Sequence, residues 1–244
     1  MGHLRPGIRL WMDRRAAHVV GCVTSTDELT IQDRGKPLYF PLLLWHADRG
    51  VPVIHAALVS TRGGGALLVG KGGRGKTTVA LACVLGGLGF LGDDYIGLEQ
   101  AGACRFVGHS LYDSVWLTAD GEARFPALVP YAEPPERSSS MARRLLHMSD
   151  ATPDRLGRSV PIRAVVATVL STEQSSSLQP VSQAAALLAL APSSMLRLPV
   201  SGTAFFERMS RLVEHVPTYE LAVGLNTTTL VPLVRRLLEL EDPR

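Results

Sequence analysis

The sequence predicts an α/β fold organised around a phosphate-binding loop, and three observations lead there. Short apolar runs rich in Val, Ile and Leu alternate along the chain with stretches of helical spacing. The octapeptide Gly70-Lys71-Gly72-Gly73-Arg74-Gly75-Lys76-Thr77 has the pattern of a phosphate loop: glycine, four residues, then Gly-Lys-Thr. It stands between an apolar strand at residues 66–69 and a helical periodicity at 77–85, which is the placement such a loop requires.

Ahead of the loop, residues 17–23, 29–32 and 38–40 read as short strands set off by polar, Gly or Pro residues, and residues 42–46 as one or two helical turns. Residues 1–50 are therefore expected to form a small β-rich N-terminal part, with the P-loop domain over 51–244. Residues 53–59 read as a strand joined to 66–69 through Thr61-Arg62-Gly63-Gly64-Gly65, whose glycines supply the positive φ of a hairpin. Gly86-Gly87 stops the helix after the loop. Residues 89–92 follow as a short apolar strand running into Asp93-Asp94, with 96–98 as its continuation. The Pro- and Ser-rich segment 131–140 cannot bury a face, and a mobile loop is expected over 131–144. A strand at 164–170, helices at 182–190 and 205–213, a strand at 219–223 and a helix at 231–240 complete the chain.

At 244 residues, with 46% hydrophobic and 19% charged residues, the chain has the balance of a globular protein. A domain of this size buries roughly 70–75% of its unfolded surface, so neither a disulfide nor a structural metal is needed for folding. The formal charge is only +3 and the arginines are dispersed, with Arg143-Arg144 and Arg235-Arg236 read as solvated helix ends. Nucleic acid is not expected as a partner. Cys22, Cys83 and Cys104 lack paired spacing, which suits reduced thiols and a cytoplasmic setting. The start lacks the apolar region of a signal peptide, and the longest apolar stretch, 184–191, falls far short of the ~20 residues of a spanning helix. No membrane partner is expected, and self-association is left open.

The chemistry of the octapeptide follows from its residue types. Glycines at 70, 72, 73 and 75 let successive N–H groups curl inward as an anion nest. Lys76 is spaced to reach the β and γ phosphates of ATP and the Thr77 hydroxyl to hold Mg²⁺, and Thr78 is expected with residues 70–77 among the nucleotide-binding residues. Lys71 and Arg74 are either phosphate contacts or solvated loop charges.

Binding a triphosphate does not say what is done with it. Asp93-Asp94 after an apolar strand offers two carboxylates, for metal and for proton transfer, or else a simple turn. The arrangement Val53-Ile54-His55-Ala56-Ala57-Leu58-Val59, then the glycine loop, then Gly89-Phe90-Leu91-Gly92-Asp93-Asp94-Tyr95 resembles the catalytic core of the bacterial HPr kinase/phosphorylase family. In that family a His lies on the strand before the loop, and an Asp pair follows the first helix after it. The resemblance spans about residues 53–98 and is diffuse beyond Tyr112.

It implies a fold like that of the phosphoenolpyruvate carboxykinase group and phosphoryl transfer from ATP to a serine hydroxyl. Carried over residue by residue, His55 is the strand histidine, Lys76 and Thr77 the loop residues, and Asp93 and Asp94 the acidic pair. By analogy Asp93 is the base, Asp94 joins Thr77 as Mg²⁺ ligand, and His55 tunes Asp93. The family's separate N-terminal domain is absent or reduced to residues 1–50, and its later arginine-bearing segment has no clear match. Residues 180–187 and 190–194 resemble shorter kinase relatives found beside ribosomally made peptide pathways, some of which phosphorylate a serine of a precursor peptide. The resemblance thus implies a serine kinase acting on a peptide or small protein. A nucleotide-gated assembly factor and a kinase of a small hydroxyl metabolite are the alternatives.

Overall fold

Alternation along Ile8–Asp13 turns Leu10 and Met12 inward and leaves Arg9, Trp11 and Asp13 outside, as a strand with one covered face requires. The computed structural model describes residues 2–5, 7–135, 143–197 and 202–240. In it β1 (Gly2–Arg5), β2 (Ile8–Asp13) and β3 (His18–Val23) form a three-stranded antiparallel sheet. The strands expected at 29–32 and 38–40 are helical instead: α1 (Ile31–Gly35) and α2 (Tyr39–Asp48). A capping box starts α1, the Thr30 hydroxyl accepting from the Asp33 amide at 3.2 Å and the Asp33 carboxylate accepting from the Thr30 amide at 3.1 Å. Pro41 sits in the first turn of α2, where its missing N–H breaks no helical bond.

The expected strand 53–59 is interrupted at His55-Ala56 into β4 (Val53–Ile54) and β5 (Ala57–Ser60). A tight turn leads to β6 (Gly65–Val69), which pairs antiparallel with β5, and α3 (Lys76–Leu85) follows the glycine loop. Next come β7 (Gly89–Gly92), β8 (Ile96–Gln100), β9 (Phe106–Ser110) and β10 (Ser114–Thr118). Residues 96–98 therefore belong to a separate strand rather than to β7. After α4 (Ala119–Arg124), β11 (Arg143–His147) pairs antiparallel with β10. Arg143-Arg144 thus lies in a half-buried strand and not at a solvated helix end. Of the range expected to be mobile, residues 136–142 lie outside the described residues. Residues 132 and 133 are anchored to β11, the Glu133 amide donating to the Leu145 carbonyl at 2.7 Å.

A short helix α5 (Met148–Ala151) precedes β12 (Ser159–Leu170), then β13 (Ser177–Pro180), α6 (Gln183–Arg197), α7 (Thr203–His215), β14 (Thr218–Val223) and α8 (Leu230–Leu240). The larger sheet runs β4-β8-β9-β12-β6-β5-β7, with β14 beside β12 and β13 beside β14. β12 serves several partners: residues 159–161 pair antiparallel with β9, and later residues run parallel with β6 and β14.

These pairings fix the polarity that matters. β6, β12 and β14 are parallel, and β5 is antiparallel to both β6 and β7. The carboxyl ends of β6, β7, β12 and β14 therefore lie at one edge of the sheet with the start of β5, where ligands of open α/β sheets are generally bound. Every residue of β6 is buried, because both faces are covered. Ala66 and Leu68 face the cluster containing Val79, Cys83 and Val234 of α3 and α8. Leu67 and Val69 face Leu190, Met209 and Leu212 of α6 and α7. Each such leucine contributes about 1.5–3 kcal/mol by leaving water.

At the end of β14, Gly224 passes against another loop with no room for a side chain. A Cβ there would lie 2.7 Å from the Ser175 carbonyl carbon and 2.8 Å from the Gln174 oxygen, and backbone cannot rotate aside. Gly224→Ala should destabilise the protein by about 1–3 kcal/mol in urea titration, and an unchanged midpoint would show that the 171–176 loop yields freely.

Candidate functional site

The glycine loop owes its shape to backbone conformations that side chains resist. Gly70 has φ +143° and Gly75, the residue before α3, has φ +91°. A Cβ at Gly75 would also meet Val223 Cγ2 at 3.2 Å. Lys76 opens α3 with its side chain buried, and its Nζ donates to the carbonyls of Gly70 at 2.7 Å and Lys71 at 3.2 Å. The ammonium thus spans the loop on the side where a phosphate would be received. Lys71, Gly72, Gly73 and Arg74 are exposed, while Thr77 and Thr78 are half-buried and line a cleft beside the loop.

β7 delivers the acidic pair to the same edge. Asp93 is buried, and the Thr77 hydroxyl donates to its Oδ2 at 2.7 Å. Its Oδ1 is equally buried and has no hydrogen-bond partner among the described residues. Burial, and next the neighbouring charge of Asp94, push the Asp93 carboxyl up to about 6. Asp94 turns the other way, with φ +71°, a conformation that Asp tolerates better than most residues. Its carboxylate meets His55 Nε2 at 3.3 Å and Lys36 Nζ at 2.6 Å. Burial alone would raise Asp94, but the hydrogen bond from His55 and the charge and hydrogen bond of Lys36 outweigh it and hold the carboxyl well below the usual range.

The expected pairings were Thr77 with Asp94 and His55 with Asp93. The contacts run the other way: Asp93 meets Thr77 of α3, and Asp94, turned by its left-handed backbone, meets His55. His55 occupies the break between β4 and β5, and its amide donates to the buried Ser194 hydroxyl of α6 at 3.0 Å. Lys36 was not expected from sequence at all. It is buried between the rings of Tyr95 and Trp116, with Nζ 4.7 Å and 5.0 Å from their centroids. One compositional signal points to it: the chain has 22 arginines and only three lysines, the other two being Lys71 and Lys76.

The cleft holds about 510 Å³. Its floor is the loop and the start of α3, and its walls are Asp94, His55 and Trp116 on one side and Leu170, Val223 and Leu225 on the other. Arg124 and Arg143 also line it; Arg124 is held by Asp120 at 2.8 Å, and Arg143 enters on the β10–β11 hairpin. Among the described residues no group of three or more His, Cys, Asp or Glu forms a metal cage. The donors that fit a cation are the Thr77 hydroxyl and the Asp93 carboxylate with its unpartnered buried oxygen. A hydroxyl and one carboxylate suit Mg²⁺, which takes its remaining oxygens from water and substrate phosphates.

No protein-family model matches the chain, and comparison with curated proteins finds no match. Among solved structures the chain is similar to the Hpr(Ser) kinase/phosphatase from Coxiella burnetii, at 13% identity and a TM-score of 0.44, over 78% of this chain and 91% of that one.

The raised Asp93 carboxyl predicts a pH signature in the metal-free protein. A carboxyl whose folded value lies above its unfolded value of 3.8 supports folding fully below that value and loses that support as pH rises through about 6. Asp93→Asn should therefore be more stable than the parent at pH 7.5, by on the order of 1–3 kcal/mol in EDTA. The gap should close toward pH 4. Parallel stability curves for the two proteins across that range would contradict the buried, unpaired environment of Asp93.

Proposed function

We propose that the protein is an ATP- and Mg²⁺-dependent kinase that transfers the γ-phosphoryl group to a serine hydroxyl of a peptide or small protein. The observation that carries this reading is the acidic pair beside the loop, one carboxylate bonded to Thr77 and the other facing the cleft with His55 behind it. A protein that only senses nucleotide has no use for the second carboxylate.

The roles follow from the contacts, and relative to the family analogy they exchange the two aspartates. The amides of the loop and Lys76 bind the triphosphate, Lys76 exchanging its carbonyl partners for phosphate oxygens. Thr77 and Asp93 would hold Mg²⁺, and Asp93 binds it as the carboxylate that burial otherwise disfavours. The ion, when bound, neutralises charge on the phosphate oxygens. Asp94 faces the acceptor, accepting a hydrogen bond from the serine hydroxyl and so aligning its oxygen. That oxygen attacks the γ-phosphorus, the bond from phosphorus to the ADP oxygen breaks, and the hydroxyl proton passes to Asp94. The low proton affinity of Asp94 suits a loose transition state, in which positioning matters more than base strength.

No helix among the described residues is long and apolar enough to cross a membrane. Cys22 and Cys104 are exposed, unbridged thiols, while burial pushes the Cys83 thiol up to about 12, all in keeping with a reducing cytoplasm.

Mg-ATP at about a hundredfold over its Kd should stabilise the fold by ~2.7 kcal/mol and raise Tm by roughly 5–10 °C. Lys76→Ala should lose most of that shift. Asp94→Asn should keep it and slow phosphopeptide formation by about 10²–10⁴-fold, whereas Thr77→Ala and Asp93→Asn should raise the Mg²⁺ concentration needed. Thermal denaturation reads the shifts and radiolabelled ATP with serine-containing peptides reads the transfer, and full transfer by Asp94→Asn would refute the role given to Asp94.

A further inference from the structure

Arginine supplies nearly all the positive charge of this chain, so the three lysines stand out. Two belong to the phosphate loop. The third, Lys36, comes from the N-terminal part, yet its side chain is only 1% exposed and its Nζ lies 2.6 Å from Asp94 Oδ2. Taking an ammonium out of water costs several kcal/mol unless its partners compensate, so its position calls for a reason.

The segment carrying Lys36 is held on several sides. Its first turn is closed by the Thr30–Asp33 capping box. Gly35 lies flat on the β10–β11 hairpin, where a Cβ would come within 2.7 Å of Leu145 Cδ1 and 3.0 Å of Trp116 Cη2. Just after Lys36, the Tyr112 hydroxyl donates to the Pro37 carbonyl at 2.9 Å. Arg34 pairs with Glu133 at 3.1 Å. The ammonium is thereby delivered between two aromatic faces to a single carboxylate oxygen. A compact ammonium fits that slot, whereas a broad planar guanidinium would need a second acceptor and more width.

On the other side of the pair, Asp94 adopts a left-handed backbone conformation, which Asp tolerates better than most residues though less readily than glycine. Its two oxygens are divided, Oδ2 to Lys36 and Oδ1 to His55. One of the two partners of the Asp94 carboxylate therefore comes from the N-terminal part of the chain, ahead of the strands that carry the rest of the site.

We propose that Lys36 is a positioning residue, which fixes the Asp94 carboxylate at the cleft and makes residues 31–37 part of the phosphoryl-transfer site. This deepens the kinase reading and rests on it for the transfer step alone; the pairing itself is open to test without activity.

Lys36→Met keeps the apolar stem between the two rings and removes the ammonium. Its kcat should fall about 10–100-fold, the scale of a misoriented reacting group, with KM for Mg-ATP changed less than about threefold. In an Asp94→Asn background the same substitution should cost nothing further, because Lys36 acts through Asp94. An equal loss in both backgrounds would make Lys36 a structural residue and overturn the proposal. Independently of activity, ¹³C-lysine labelling of the otherwise unmodified chain yields signals from only three lysines. The Lys36 side-chain signals should be shifted upfield by the Tyr95 and Trp116 rings and should move in Asp94→Asn. Unshifted signals, or signals indifferent to Asp94→Asn, overturn the proposal even if Lys36→Met does not fold. If those signals respond as expected but the parent protein phosphorylates no serine peptide, the kinase reading fails, and the transfer role of Lys36 with it.

Discussion

Two adjacent carboxylates at the buried end of a strand cannot both be left to themselves, and much of this site is arranged around that constraint. Asp93 and Asp94 are separated by pointing them apart, and each receives a different answer. Asp93 is given one hydroxyl and little else, so its charge is disfavoured in the metal-free protein. Asp94 is given an imidazole and an ammonium, so its charge is secured. The break in the strand at His55, the left-handed turn at Asp94 and the insertion of Lys36 all serve the second answer. The first leaves one buried carboxylate oxygen without a hydrogen-bond partner among the described residues.

The sheet makes the separation useful. With β5 inserted antiparallel between β6 and β7, β5 begins at the edge where β6 runs into the loop and β7 into the acidic pair. His55, the glycine loop and Asp94 follow or precede three strand termini yet meet at one edge. The same polarity brings the ends of β12 and β14 to the far wall of the cleft. A fully buried β6 anchors the glycine loop, so the loop is held by the core rather than by its own exposed residues.

The N-terminal part is more than an appendage to this arrangement. Its sheet stands apart, with β3 exposed along its length, but its α1 turn reaches over the β10–β11 hairpin into the site. Trp116 links the two, packing on Gly35, caging Lys36 and lining the cleft at once. A single side chain so placed links the N-terminal part to the lining of the cleft.

Local pattern was enough to read the loop, the strand before it, the helix after it, and the later helices and strands at 205–213, 219–223 and 231–240. These depend on nearest-neighbour spacing, glycine geometry and amphipathic period, all written along a short stretch of chain. Residues 29–32 and 38–40 misled because apolar content outweighed the quieter cap of Thr30 and Asp33 and the first-turn proline. Which aspartate faces which partner, and the arrival of Lys36 at Asp94, lay beyond such reading. They are set by strand polarity and by contacts between residues far apart in the chain, and only the folded core brings those residues within hydrogen-bond reach.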